Sequence, residues 1–354
     1  MALGISIRLN GAPDDTVAAA AFVEVTERVG HPTYYRLDYS MDVADGDFPM
    51  LKESKLGPGS EISVLVPTAN ATECLVKGPV YGQQIRFEQG GAGSSLVVLG
   101  ADSSIKMDRE DKAVAWSDLT DSDAVSSILS QASLEADVES TSASHSEDKH
   151  TLIQRESDLA FVRRLARRNG SLFWLTCDAS GVETGHFKRP TLDGDAACEL
   201  VINLTDPRSN VNSLEIAWDV ERPTRTDATE LDLNDKSDIT GSVDRSPLSA
   251  LGGSGLADIV SDARAAHVVA PVDDSGDLQA RNEAALIEAS FFVRAAGTTT
   301  LSALGKVLRA HTLVKLRGVG SRHGGLWFCS SVRHAIDQTE HVMEFELIRN
   351  GWVQ

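Results

Sequence analysis

Gly318-Val319-Gly320-Ser321, with Gly324 close behind, places glycines near the spacing of a dinucleotide-binding loop. That chemistry needs the loop to open a helix whose N-terminal N–H groups hold the pyrophosphate. Here the loop leads into an alternating run from Leu326, so a hairpin turn is expected. Gly90-Gly91-Ala92-Gly93 meets the same objection. Gly252-Gly253-Ser254-Gly255 with Asp258 approaches a calcium-binding glycine repeat, but it occurs once where such sites need stacked copies. Asp232, Asn234 and Asp238 offer oxygens without the glycine and glutamate spacing of a helix-loop-helix calcium site, so a solvated acidic loop is expected. His145 and His150 stand in a polar stretch at no zinc spacing. His323, His334 and His341 can meet only if the C-terminal strands pair, and they read as turn and strand-face histidines. Carboxylates are abundant, yet nothing sets two of them across a cleft. There is no GxSxG, no HExxH and no cysteine with a recognisable histidine partner. No catalytic, cofactor-binding or metal-binding residue is therefore assigned, and the expected role is not enzymatic.

Composition narrows the class further. The 354 residues, 42% hydrophobic and 24% charged, suit a globular protein of two or three domains, with disorder only local. A formal net charge of -19 argues against nucleic-acid binding, which needs a basic face. The one dense basic run, Arg163 to Arg168, is accounted for by a helix C-terminus. Cys74, Cys177, Cys198 and Cys329 stand far apart with no CxxC pair, and are expected as buried thiols in a reducing compartment. No window reaches the roughly 18 apolar residues of a membrane span, and no signal-like core opens the chain, so synthesis and folding in the cytoplasm are expected.

The elements that must position these residues are mostly strands. From Ile5 to Met107 short apolar runs follow one another: Ile5 to Leu9, Phe22 to Thr26, Thr33 to Met41, Glu61 to Val66, Glu73 to Lys77, Gln84 to Glu88 and Leu96 to Leu99. Gly78-Pro79 is expected to separate the fifth from the sixth. The period changes at Thr120, where Thr120 and Asp123 form a capping pair ahead of Val125, Ile128, Leu129 and Ala132. Ser140 to Lys149 is polar and expected to be exposed. Ser157 caps a second helix, with Leu159, Val162, Leu165 and Ala166 on one face and Asn169-Gly170 as its stop. Ser171 to Cys177 then leaves as a strand apolar on both faces. Strand character returns at Leu200 to Leu204 and Val211 to Val220. Arg222 to Asp277, with Pro247 and Pro271, reads as long loops or an arm carrying short strands, and Leu278 to Val293 as a helix. Strands close the chain at Thr298 to Leu301, His311 to Arg317, Leu326 to Ile336 and His341 to Ile348. The expected class is mainly β (α+β), with an inserted α/β domain between two β-domains.

Three segments resemble one known family. Gln154-Arg155-Glu156-Ser157-Asp158-Leu159-Ala160-Phe161, with Arg163-Arg164-Leu165 and Asn169-Gly170 before an aromatic strand, resembles a segment shared by late-control D proteins of contractile phages and hub domains of type VI secretion spikes. Leu96 to Asp111, followed by Trp116 and Thr120-Asp121-Ser122-Asp123, resembles the end of that family's first barrel and the start of its inserted domain. Val314 to His334 resembles its second-barrel hairpin.

The resemblance implies a first β-barrel over residues 1–110, completed by about 200–222. It further implies an inserted α/β domain over 111–199 and, over 223–354, a long arm and a second barrel with one helix. It implies a structural baseplate hub: a homotrimer whose paired barrels adapt a threefold spike to the sixfold inner tail tube and initiate that tube. The implied partners are a separate spike protein, since the chain stops at Gln354, the inner tail tube protein and other baseplate components. No nucleic-acid specificity, no membrane insertion and no cofactor are implied, and the particle is assembled after synthesis in the cytoplasm. The competing reading is a peptidoglycan-degrading tail-tip hydrolase using paired carboxylates. A third is a free carbohydrate-binding protein using aromatic residues near Trp327 or Trp352.

Overall fold

The computed structural model describes residues 5–353 except 43–46, 53, 70, 148–150, 206–207, 232–235, 263, 271 and 273–274. His150, Asp232, Asn234 and Pro271 thus lie outside the described residues. The protein is mainly β, and its principal sheet is antiparallel over most of its width.

Six strands form the first part: β1 (Ser6–Leu9), β2 (Phe22–Arg28), β3 (Tyr34–Ser40), β4 (Glu61–Pro67), β5 (Thr72–Arg86) and β6 (Ser95–Ala101). Their hydrogen-bonded order is β1-β4-β5-β6-β3-β2. The alternation read along Thr33 to Met41 has a direct cause: Tyr35, Leu37 and Tyr39 point into a core with Val23, Val25, Ile62, Val64, Leu96 and Val98. β5 runs unbroken through Gly78-Pro79, where a separation was expected. At this point β5 passes from pairing with β4 to pairing with β6, so proline's missing N–H falls where the ladder changes partner. Gly78 is required there because a Cβ would overlap the carbonyl of Ala101.

The middle of the chain supplies β7 (Asp111–Trp116), α1 (Asp121–Gln131), β8 (Glu135–Val138), β9 (Leu152–Ser157), α2 (Asp158–Asn169), β10 (Leu172–Cys177) and β11 (Glu183–Lys188). Both helix starts are those expected from sequence. Thr120 and Asp123 cap α1 reciprocally, and the Ser157 hydroxyl accepts from the Ala160 N–H at 3.2 Å. Gly170 ends α2 in the left-handed region at φ 66°. Val125, Ile128, Leu129, Phe161, Val162 and Leu165 share one core with Phe173, Leu175 and Phe187. Ser140 to Lys149 is not simply exposed: Ala143 and His145 are buried.

The last part contains β12 (Cys198–Val201), β13 (Val211–Trp218), β14 (Arg225–Leu231), β15 (Asp238–Val243), β16 (Ala265–Val268), α3 (Ser275–Ser290), β17 (Val293–Thr300), β18 (Leu313–Arg317), β19 (Gly325–Ile336) and β20 (His341–Arg349). Within the arm the described residues form a small sheet, β15-β14-β16, packed on α3 through Ala228, Ile239, Val268 and Leu278. The helix stops at Ser290, and Val293 already belongs to a strand.

The main strands here are ordered β12-β18-β19-β20-β17-β13. β12 and β13 therefore pair with the C-terminal part, whereas completion of the first part was expected of 200–222; Leu200 and Val211 sit in a core with Val314, Trp327 and Phe345. The two parts join where β2 pairs with β19, making one continuous sheet. No ring of strand pairings closes among the described residues, so neither expected barrel is closed.

Candidate assembly surface

The seam between the two parts is built from charged side chains on facing strands. Glu27, next to last in β2, is buried; Arg309 approaches it from the turn before β18 and donates Nε–H to Oε1 at 2.6 Å. The Ala310 N–H donates to the other carboxylate oxygen at 2.8 Å. Arg309 also donates through Nη1 to the Cys74 carbonyl at 2.9 Å. Burial pushes the Glu27 carboxyl up, against the pull of the Arg309 guanidinium. On the outer face Arg333 of β19 bridges Glu24 of β2, at 2.5 Å, and Glu344 of β20, at 2.9 Å.

The candidates singled out from sequence that lie among the described residues are placed as follows. The Gly318 to Gly324 segment connects the antiparallel pair β18 and β19, as a hairpin reading requires. Gly318 has φ +85° and lies so close to the Ile202 carbonyl that a Cβ would overlap it. Asp258 accepts from the Gly255 N–H at 3.2 Å and ion-pairs with Arg245 at 3.1 Å, capping a short helical turn. Asp238 opens β15.

His145 lies 2.8 Å from Asp121, whose carboxylate also receives Arg168 and Asn169 from α2. Burial pushes the Asp121 carboxyl up, but these donors outweigh it and hold it below the usual range. The arginine run thus has a structural use, with Arg168 on Asp121 and Arg164 on Glu156 at 2.6 Å. His334 and His341 do meet across β19 and β20, at 3.0 Å, while His323 lies instead against Trp352. Among the described residues no group of three or more His, Cys, Asp or Glu side chains is arranged to hold a metal ion.

One correction concerns the cysteines. Cys74 and Cys177 form a disulfide joining β5 to β10, with Cα atoms 5.5 Å apart, whereas four free thiols were expected; Cys198 and Cys329 are free and buried. Sequence distance concealed the bond, because 103 residues separate two strands that become neighbours only in the sheet. Trp327 and Trp352 are buried, Trp327 donating to the His323 carbonyl at 2.8 Å, while Trp218, 5.8 Å from Trp352 between ring centres, is exposed. A groove of about 570 Å³ beside the seam has an apolar floor of Leu172, Ile287 and Phe291 under arginines, and Glu288 is the one carboxylate among its described lining residues. No facing acid pair is available in that groove.

Sequence reasoning missed the exposed strand edges. Past Val80, β5 pairs only with β6 among the described residues, and its large apolar side chains face outward: Tyr81 is 54% exposed, Ile85 43% and, just beyond, Phe87 59%. Among the described residues β13 pairs only with β17, and Trp218 at its end is 55% exposed. Each such edge presents unpaired backbone groups of the kind that bind another strand.

A protein-family model described as the Alg8 N-terminal domain matches residues 3–338. The chain belongs to that family. No curated protein matches its sequence. Among solved structures, this Alg8 N-terminal domain protein is similar to the 43 kDa tail protein of prophage MuSo2 from Shewanella oneidensis, at TM-score 0.66 and 13% identity over 98% of each chain. A tail protein from Neisseria meningitidis MC58 gives TM-score 0.68 and 13% identity over 98% of this chain and 96% of that one. The Escherichia coli c3393 protein, a type VI secretion system component, gives 0.60 and 14% over 98% and 79%. At such identities the likeness is one of fold, and it is a fold found in phage tail and type VI secretion proteins, as the sequence resemblance implied.

Proposed function

We propose that the chain is the structural hub of a contractile tail or injection particle: three copies in a ring, seating a spike on one side and starting the inner tube on the other. The observation that carries this reading is the repeated strand order. β1 to β6 and β12, β13, β17, β18, β19 and β20 are joined in the same spatial sequence and occur in the same chain sequence. A chain holding two like units, repeated three times about an axis, offers six like units to a sixfold tube while keeping the threefold symmetry of a spike. In this reading each six-strand part takes the place of one barrel of the hub proteins, and the residues between them form the inserted domain. The role is one of shape and pairing rather than catalysis.

The purified protein, examined by mass measurement and electron microscopy with and without its spike, is expected to give a threefold ring about the width of the tube. A chain that stays monomeric at high concentration in both conditions overturns the proposal.

A further inference from the structure

We infer that the free edge of β13 in one copy pairs with the free edge of β5 in the next, in a register fixed by the seam inside the chain. The proposal deepens the hub reading and rests on it for the number of copies, but the pairing is argued from this chain's own repeat.

The two six-strand parts can be aligned residue by residue. β5 carries a bulge against β6 between Val80 and Gly82, and β19 carries one against β20 between Cys329 and Ser331. Superimposing the bulges equates Gly82 with Ser331, and the ladders then equate Tyr35 with Ala295 and Val25 with Ile216. Inside the chain, β19 has a second partner on its other edge: His334 faces Val25, Ala335 faces Glu24 and Ile336 faces Val23. The equivalent edge of β5 has no partner among the described residues, and neither has the outer edge of β13, the equivalent of β2.

Transferring the internal register to those two edges places Gln84 opposite Ala217, Ile85 opposite Ile216, Arg86 opposite Glu215 and Phe87 opposite Leu214. Apolar residues then meet on the face equivalent to the buried Val23, Val25 and Ile336, and opposite charges meet on the outer face. That outer face is where Arg333 and Glu24 pair within the chain. A shift by one residue would set Arg86 against an apolar neighbour and lose both matches. The contact is head-to-tail, so a closed ring repeats one kind of seam within and between copies. The flanking strands depart from the repeat: β1 runs antiparallel to β4, while β12 runs parallel to β18. They lie away from both edges used here.

The test mixes two full-length single variants, Gln84→Cys and Ala217→Cys, and oxidises them. A disulfide joining one chain of each kind is expected, and replacing Ala217→Cys by Ser213→Cys should abolish it. Separately, Arg86→Glu or Glu215→Arg alone should raise the concentration for half-assembly about tenfold, and the two together should restore it. Threefold rings without the cross-link and insensitive to the charge changes overturn the register and leave the hub reading standing. Cross-linked open chains, never closing into threes, support the edge pairing and overturn the hub reading. A protein that never associates overturns both.

Discussion

Arg309 reaches back 282 positions in sequence to place its guanidinium 2.6 Å from the buried carboxylate of Glu27. This pair closes the seam between the two six-strand parts and, through the Cys74 and Leu75 carbonyls, ties β5 to the same point. Removing one partner leaves the other charge buried and uncompensated. Arg309→Met is therefore expected to cost about 3 kcal/mol or more, measured by denaturant unfolding. Glu27→Gln should cost less, because burial already works against the ionised form and the amide oxygen can still accept one hydrogen bond.

Acid should weaken the second part of the sheet. His311 stacks on Trp174 at 4.3 Å between ring centres, and burial pushes its pKa down to about 3; burial pushes His341 down to about 4, and His334 well below its ordinary value. All three gain a proton in the unfolded chain near pH 6.5 but not in the folded one, so stability is full above that pH and falls progressively as pH drops toward 4. Thermal unfolding between pH 7 and 4 would show the decline. His311→Gln should flatten it in part.

Asp102 titrates with the opposite sign. Burial pushes its carboxyl up to about 6, although the Thr33 and Ser104 N–H groups donate to it. The unfolded chain ionises near its ordinary value and the folded one later, so this residue's contribution is largest below about pH 4 and is lost between there and pH 6. Asp102→Asn should remove that opposing slope, seen as a steeper rise in melting temperature from pH 4 to pH 6.

The Cys74–Cys177 bond closes a loop of 103 residues between β5 and β10. Loop-closure entropy puts its contribution at up to about 4.7 kcal/mol. Reduction, or Cys177→Ser, is expected to lower the unfolding midpoint, and mass spectrometry of the unreduced protein would show the bond.

Gly78→Ala should be severely destabilising, by about 3 kcal/mol or more, because the added methyl meets the Ala101 and Asp102 backbone rather than a movable side chain. Gly59→Ala provides the contrast. There φ is +88° with nothing within 4 Å of a Cβ, so the cost is backbone strain alone, about 1 kcal/mol, checked in the same unfolding experiment.

Local order was written in the residues themselves. Ser157, Thr120 and Asp123 fixed where the two middle helices begin, Gly170 where the second ends, and the alternation of Tyr35, Leu37 and Tyr39 which face of β3 is buried. These signals are legible because caps and period-two patterns act over a few neighbouring residues. Tertiary structure alone decided the rest: that Gly78-Pro79 continues a strand, that Cys74 meets Cys177, that β12 and β13 join the C-terminal part, and that β5 and β13 keep open edges among the described residues. Each depends on which distant strand arrives alongside, and strand pairing is set by packing and register across the whole sheet, which no short window of sequence contains.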